Sequence, residues 1–212
     1  MVKILVTFAL RQEGVSFERR LAKSVGPSGA VPGHLDSKEI AVDWLGPGFR
    51  DQDRFEKLLS NMGNPLVINS GFAGATRTLL EPGDFVLAEN FSSPELLKRL
   101  EATQAFQARG KFVCVDKVVG PAEKSRINAE DDVLAIDMES ERVAAVCRNL
   151  SVPLVTARMI SDRADEEIPG VFLGKGVRRI KDISAAITFA SRMIALRPKL
   201  ADHLVDLINL LP

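Results

Sequence analysis

Two apolar stretches of the sequence each lead into a carboxylate. Val133–Ser140 (Val-Leu-Ala-Ile-Asp-Met-Glu-Ser) contains Glu139 near its end, and Val155–Asp162 (Val-Thr-Ala-Arg-Met-Ile-Ser-Asp) ends at Asp162. Ligands of open α/β sheets bind beyond the carboxyl ends of the strands. If both stretches are buried strands, Glu139 and Asp162 are candidates for one shared pocket.

A third carboxylate and a glycine-containing segment follow two other predicted strands. Glu13 comes shortly after the first apolar run, and Asn69–Ala75 (Asn-Ser-Gly-Phe-Ala-Gly-Ala) follows another. Gly71 and Gly74 permit a tight turn whose backbone amides point at a ligand, although such a turn is also common as chain geometry alone. The segment has neither the Lys-Ser/Thr pair of a P-loop nor the spacing of a dinucleotide fingerprint.

Each acid also has a purely structural interpretation. Glu13 could be a solvated residue at the start of a helix, Glu139 a partner of a helix dipole, and Asp162 a helix cap or a surface charge. Their joint occurrence after apolar strands favours a function, because a carboxylate at the end of a buried strand loses hydration unless something uses it. Cleavage of a glycosidic bond needs an acid, a base and acceptors for sugar hydroxyls, but these residue types alone do not single out that reaction.

The elements that must position these residues alternate along the chain, which predicts an α/β fold around a largely parallel sheet. Glycine and proline between the first strand and the first helix predict hairpins there, so the sheet is expected to be mixed. A final helix is predicted to begin at Pro198, with an apolar stripe that suits core packing or a subunit contact. Strands are predicted at Lys3–Phe8, Ala30–Leu35, Glu39–Trp44, Pro65–Asn69, Asp84–Ala88, Lys111–Val115, Val133–Met138 and Pro153–Ile160, and helices near Gln52–Met62, Pro94–Arg109, Ser140–Leu150 and Ile183–Leu196.

Composition narrows the class of protein. With 212 residues and 46% hydrophobic content, one domain over residues 1–212 is the economical expectation. Lys+Arg and Asp+Glu both number 28, so no basic field attracts nucleic acid or a membrane surface, and a small-molecule partner is expected. Cys114 and Cys147 are interpreted as buried thiols, and no apolar segment approaches the roughly 20 residues of a membrane span. We therefore expect a cytoplasmic protein, without a metal site because His34 and His203 lack ligand-like neighbours.

The ordered motifs resemble those of the purine nucleoside phosphorylase/nucleosidase superfamily, in particular its methylthioadenosine/S-adenosylhomocysteine nucleosidases. The resemblance runs from the first strand to the helix at Ile183. It implies a three-layer α/β/α sandwich with a mixed, partly barrel-like sheet, a homodimer, and no metal or organic cofactor. The motifs that carry it are Glu13, Asn69–Gly74, Pro82–Asp84, Ala135–Ser140 and Arg158–Asp162.

The resemblance also implies roles for individual residues. Glu13 would activate the attacking water, and Asp162 would protonate the purine at N7. Glu139 would hold the ribose 2′ and 3′ hydroxyls, with Met138 packed beneath the sugar. Two further residues would lie near the water and the ribose: Ala73 and Gly74.

Some positions depart from the pattern of the superfamily. Where an aromatic ring usually stacks on the purine, this chain has Val118, followed by Val119. Phe72 stands where a small residue is common, so it fills the pocket differently. The segment Arg163–Arg178 is expected to cover the 5′ side, with Phe172 as a contact for the 5′ substituent.

The sequence favours hydrolysis over phosphorolysis. Phosphorylases of the superfamily hold phosphate with arginines near the N-terminus and just before the glycine segment, positions occupied here by residues 9–13 and Asn69. Arg11, Arg50 or Arg77 could substitute. The predicted function is hydrolysis of the N-glycosidic bond of a purine nucleoside, in particular a 5′-modified adenosine. The alternatives are a phosphate-dependent phosphorylase and a non-catalytic nucleoside-binding protein.

Overall fold

The computed structural model describes residues 3–23, 30–169 and 180–212. Its strands are β1 (Lys3–Phe8), β2 (Ala22–Lys23), β3 (Val31–Leu35), β4 (Lys38–Trp44), β5 (Leu66–Asn69), β6 (Phe72–Ala75), β7 (Phe85–Ala88), β8 (Ala108–Cys114), β9 (Val133–Asp137) and β10 (Leu154–Asp162). Its α-helices are α1 (Arg11–Glu18), α2 (Gln52–Met62), α3 (Pro94–Glu101), α4 (Pro121–Asp131), α5 (Ser140–Asn149) and α6 (Ile180–Leu210).

The strands form one mixed sheet in the order β2-β3-β4-β1-β5-β10-β6-β9-β8-β7. An additional antiparallel pairing of β7 with β10 closes the second half of this order into a barrel. The long strand β10 belongs to both halves, since Leu154–Thr156 pair with β5 and Met159–Asp162 pair with β6. The expectation of a mixed α/β fold is confirmed, while the three-layer detail stays a prediction.

The core lies on both faces of the open half of the sheet. Alternate side chains of a strand point to opposite faces. Ile4, Val6 and Phe8 accordingly join a cluster with α1, α3 and α6, whereas Leu5 joins a cluster with α2 and α5. In the residues that the structure describes, no helix is long and apolar enough to cross a membrane.

Several element boundaries differ from the sequence prediction. The helix expected over Pro94–Arg109 ends at Glu101, because Ala108 and Arg109 join the parallel ladder between β8 and β7. The glycine segment is not only a turn: Phe72–Ala75 form strand β6 between β10 and β9. Tertiary pairing outweighs local propensity in both places.

The helices also correct the prediction. Helices α1 and α4 were not expected, and the predicted break at Pro198 is wrong because α6 continues through it. Pro198 lies on the exposed side, while the following residues hold the helix in place against β1, α1 and α3. The apolar stripe consists of core residues: Leu200, Leu204, Leu207, Ile208 and Leu211.

Candidate active site

The predicted site residues that the structure describes line one cavity of about 530 Å³. This volume lies in the range of small-molecule sites. Phe172 lies outside the described residues, so its predicted contact stays a prediction. The lining residues from the sequence analysis are Glu13, Phe72, Ala73, Gly74, Val118, Val119, Met138, Glu139 and Asp162.

Strand β6 lies between the two strands that lead to Asp162 and Glu139. Gly74 pairs with Asp162 of β10 on one side and with Ile136 of β9 on the other. Strand β6 runs parallel to β10 but antiparallel to β9, so the argument from shared carboxyl ends of parallel strands is wrong. Closure of the sheet brings the acids together instead. Gly71 and Gly74 lie three residue steps apart along nearly extended chain, roughly 10 Å, which gives the cavity two distinct ends.

Glu13 lies at the Gly71 end of the cavity. It is the third residue of α1, and the Leu10 backbone amide donates to its Oε2 at 3.0 Å. Gly71 has φ +128°, and a Cβ there would lie 3.1 Å from the same Oε2, so the close approach requires glycine. Burial raises the pKa of Glu13, although the Leu10 amide and the Arg158 guanidinium act in the opposite direction.

Glu139 lies at the junction between β9 and α5, near the same end. Its side chain is buried, and the Gly48 amide donates to Oε1 at 2.9 Å. Arg158 Nη2 is 3.9 Å from Oε2. Burial raises the pKa of Glu139, while the charge of Arg158 and the Gly48 amide lower it. Both carboxyls of this end therefore bind a proton more readily than exposed ones.

Arg158, in the middle of buried strand β10, links this end of the cavity. Its Nε donates to Asp137 Oδ2 at 2.9 Å, and its other nitrogens donate to the Ser70 carbonyl and to Asn69 Oδ1. Burial alone would lower the pKa of Arg158, but the charges of Asp137, Glu139 and Glu13 raise it. No role for Arg158 or Asp137 was predicted from the sequence, although an arginine inside an apolar strand is a signal for a buried anionic partner.

Asp162 lies at the Gly74 end, paired with a lysine that sequence reasoning missed. Lys124 of α4 has a buried side chain, and its Nζ donates to Asp162 Oδ2 and, at 2.7 Å, to the Arg163 carbonyl. The Ser161 hydroxyl donates to Asp162 Oδ1. A Cβ at Gly74 would lie 3.1 Å from Asp162 Oδ2, so this glycine makes room for the ion pair.

The remaining walls of the cavity are mainly apolar. Val118 and Val119 line the cavity, and Val118 is 38% exposed at its rim. Helix α6 adds Phe189, Met193 and Ile194, which the sequence analysis did not place there. Phe72 and Phe189 are the aromatic residues among the described lining. An apolar planar base with polar groups at two ends suits these walls.

Metal ligands are not gathered at the site. Within residues 3–23, 30–169 and 180–212, no group of three or more His, Cys, Asp or Glu side chains could hold a metal ion. His203 stacks on Phe85 with ring centroids 4.9 Å apart. Of the two free cysteines, Cys147 is buried and Cys114 is half-buried.

Known proteins with related sequences and folds are nucleoside-cleaving enzymes. Residues 89–189 match the family model of the phosphorylase superfamily. The 5′-methylthioadenosine/S-adenosylhomocysteine nucleosidase of Staphylococcus epidermidis is 27% identical over 165 residues, which cover 63% of this chain and 72% of that protein. The resemblance to the superfamily is confirmed.

Solved structures extend the likeness over the whole fold. The nucleosidase of the same name from S. pneumoniae, solved with a transition-state inhibitor, has a TM-score of 0.76 at 20% identity and covers 100% of both chains. Futalosine hydrolase of Helicobacter pylori has a TM-score of 0.73 at 21% identity, over 98% of this chain and 97% of its own. At this level of identity, the likeness establishes the fold alone.

We predict that Arg158→Met destabilises the protein strongly. The substitution leaves Asp137 and Glu139 buried without their cation, and removal of one partner from a buried ion pair typically costs about 3–5 kcal/mol. Urea denaturation measures the loss. Arg126→Met is the matched control, because Arg126 pairs with Glu123 and Glu130 on the exposed face of α4. Equal losses in the two variants would contradict the compensating role of Arg158.

We predict opposite pH trends for two glutamine variants. Since burial raises the pKa of Glu13, the native state holds more protons than the unfolded state above the ordinary glutamate pKa of 4.5. The wild type therefore loses stability relative to Glu13→Gln as pH rises through that window. Burial alone would raise the pKa of Glu166, but its bonds to Arg192 lower it, so the wild type gains stability relative to Glu166→Gln as pH rises toward 4.5.

The measurement is urea denaturation of each variant beside the wild type over a series of pH values. Subtracting the free energy of unfolding of the variant from that of the wild type at each pH removes the contributions of the groups that the two proteins share. Differences that stay constant with pH, or that change in the same direction for both variants, would show that the environment of Glu13 is not the one described.

Proposed function

We propose that this protein is a nucleosidase, an N-glycosyl hydrolase that cleaves a purine nucleoside, in particular a 5′-modified adenosine. The observation that carries the proposal is the meeting of Glu13, Glu139 and Asp162 in one cavity of suitable volume. The nucleosidase activity named for the relatives supports the same reaction.

In this proposal, Asp162 is the general acid. The Ser161 hydroxyl and the Lys124 ammonium each donate to one of its carboxylate oxygens, which fixes the carboxyl at the Gly74 end of the cavity. Protonation at N7 makes a purine a better leaving group. The electron pair of the C1′–N9 bond then departs with the base.

Glu13 is the base and Glu139 the ribose acceptor at the other end. Burial raises the pKa of Glu13, so its carboxylate takes a proton from water more readily than an exposed one, and the water oxygen bonds to C1′. Glu139 accepts hydrogen bonds from the 2′ and 3′ hydroxyls, and Met138 packs beneath the sugar. Ala73 and Gly74 line the cavity beside the ribose and the water.

Water is favoured over phosphate as the nucleophile. Arg11 lies over the ring of Trp44, 5.2 Å from its centroid, and Arg77 pairs with Asp132 at 2.7 Å. Neither these arginines nor Arg50 line the cavity. Among the described residues, its cationic lining consists of Arg197 and of a Lys124 already paired with Asp162. Phosphorolysis is the runner-up, and non-catalytic nucleoside binding the third possibility.

The 5′ group of the substrate is proposed from the relatives and from the lining of the cavity. Val118 lacks the stacking surface of an aromatic ring, and Phe72 and Phe189 supply rings from other directions. A futalosine hydrolase and methylthioadenosine nucleosidases share this fold, so the substrates named for its relatives differ. We propose the segment that contains Phe172 as the cover of the 5′ side.

Assembly and location belong to the proposal as well. We propose one domain over residues 1–212, arranged as a three-layer sandwich in the open half of the sheet, because helices lie on both of its faces. A cytoplasmic homodimer follows from the resemblance. Large apolar side chains on the first part of α6 support a subunit contact, since Ile183, Ile187 and Ile194 are 46%, 61% and 56% exposed.

We predict that Glu13→Gln and Asp162→Asn each reduce base release by about 10²–10⁴-fold, because each removes one proton transfer of the reaction. Chromatography of the released base measures the rate, and circular dichroism checks the fold. Glu130→Gln is the control, since Glu130 lies on the exposed face of α4. A wild-type rate in either site variant would reject the role assigned to that residue.

A panel of purine nucleosides, assayed with and without phosphate, separates the three functions. A nucleosidase releases free ribose without phosphate, whereas a phosphorylase requires phosphate and yields ribose 1-phosphate. A binding protein retains nucleosides and releases no base. Hydrolysis that is independent of phosphate is the expected result.

A further inference from the structure

The ion pair between Lys124 and Asp162 bears on the source of the proton that Asp162 donates. An acid for the purine must hold a proton, but an ordinary aspartic acid has lost its proton well below neutral pH. The ammonium of Lys124 lies within hydrogen-bond distance of Asp162 Oδ2 and is itself buried. A proton is therefore stored one hydrogen bond away from the carboxylate.

The hydrogen bonds and the burial of Lys124 indicate a role at the cavity. A lysine ammonium has three donors and no acceptor. Two of these donors go to Asp162 and to the Arg163 carbonyl, and the side chain lines the cavity beside Gly74. A lysine needed for stability alone gains nothing from burial at the wall of a cavity, because desolvation of an ion pair costs about as much as the pair returns.

We propose that Lys124 supplies the proton that Asp162 passes to the leaving purine; this inference rests on the proposed function. As the C1′–N9 bond breaks, its electron pair stays on the purine and N7 takes a proton from Asp162. One N–H bond of Lys124 breaks as its proton moves to Asp162, which leaves a neutral amine. Glu13 passes the proton of the attacking water to solvent. The Lys124 amine takes up a proton from solvent, so the cycle is balanced.

Several of the other charged groups near the pair are bonded to one another. Arg192 and Glu166 bond to each other, with Nη1 to Oε2 at 2.8 Å, and Arg163 Nε bonds to Asp165 at 3.0 Å. Asp137 of β9 faces Arg158 instead. Strand β6 contributes only Gly74 to the pair, and Arg197 of α6 lines the same cavity. Of these charged groups, Lys124 is therefore the one that contacts Asp162 directly with a proton-bearing atom.

The test compares two leaving groups in Lys124→Met. A purine nucleoside needs protonation to leave, whereas 4-nitrophenolate leaves from 4-nitrophenyl β-riboside without it. We expect the variant to lose about 10²-fold or more on the nucleoside, as for removal of a general acid, and to keep its rate on the nitrophenyl riboside. Lys111→Met is the matched control, because Lys111 pairs with Asp131 on the surface at 2.9 Å. Equal losses on both substrates, or no loss, would overturn the proposal.

A second variant separates proton supply from charge. Lys124→Arg keeps a cation beside Asp162, but a guanidinium does not release its proton in proteins. We expect the nucleoside rate to stay low in this variant, and restoration of the wild-type rate would overturn the proposal.

The wild type offers a measurement that does not depend on folding of a variant. With a lysine as the proton source, the rate on the purine nucleoside should not fall on the acid side of neutrality, where an isolated aspartic acid has already lost its proton. A nucleoside rate that falls already on the acid side of neutrality, beside a constant nitrophenyl rate, would sink the inference. Absence of base release from every nucleoside would instead reject the proposed function.

Discussion

The rest of the site depends on one buried guanidinium. Transfer of a carboxylate from water into a protein costs several kcal/mol even after relaxation, and Asp137, Glu139 and Glu13 all lie around Arg158. Arg158 lies on strand β10, which belongs to both the open sheet and the barrel. Asn69 Oδ1 and the Ser70 carbonyl also accept hydrogen bonds from Arg158. The closed sheet and the charge cluster therefore require each other: the barrel places the arginine, and the arginine permits the acids.

The parts of the fold visible in the sequence are those with local signals. Apolar runs that lead into Glu139 and Asp162 predicted their strands, and the cavity lining contains both residues. Helix α4 was not predicted because Pro121–Asp131 shows no apolar stripe: Ile127 is its single buried apolar residue. Lys124 escaped with it, since nothing local distinguishes it from a surface lysine.

Tertiary contacts decided the remaining differences. Phe72–Ala75 contain a glycine and follow a turn, yet both edges of this strand find partners in β10 and β9. Pro198 removes one hydrogen bond from α6, but core contacts of Leu200 and Leu204 keep the helix continuous. Arg158 and Asp137 belong to the sequence motifs that carry the resemblance. Only their distance of 2.8 Å in the structure makes them a pair.

The two ends of the cavity differ in charge, and this difference matches the proposed chemistry. At the Gly74 end, one lysine faces one aspartate, so the local charge is balanced where a proton must be handed to a neutral base. At the Gly71 end, one arginine faces three carboxylates, which leaves a surplus of negative charge. Glycoside cleavage develops positive charge on the sugar ring, and fixed negative charge stabilises it without reorganisation. Burial raises the pKa values of Glu13 and Glu139, and positive charge that develops beside them favours their ionised forms.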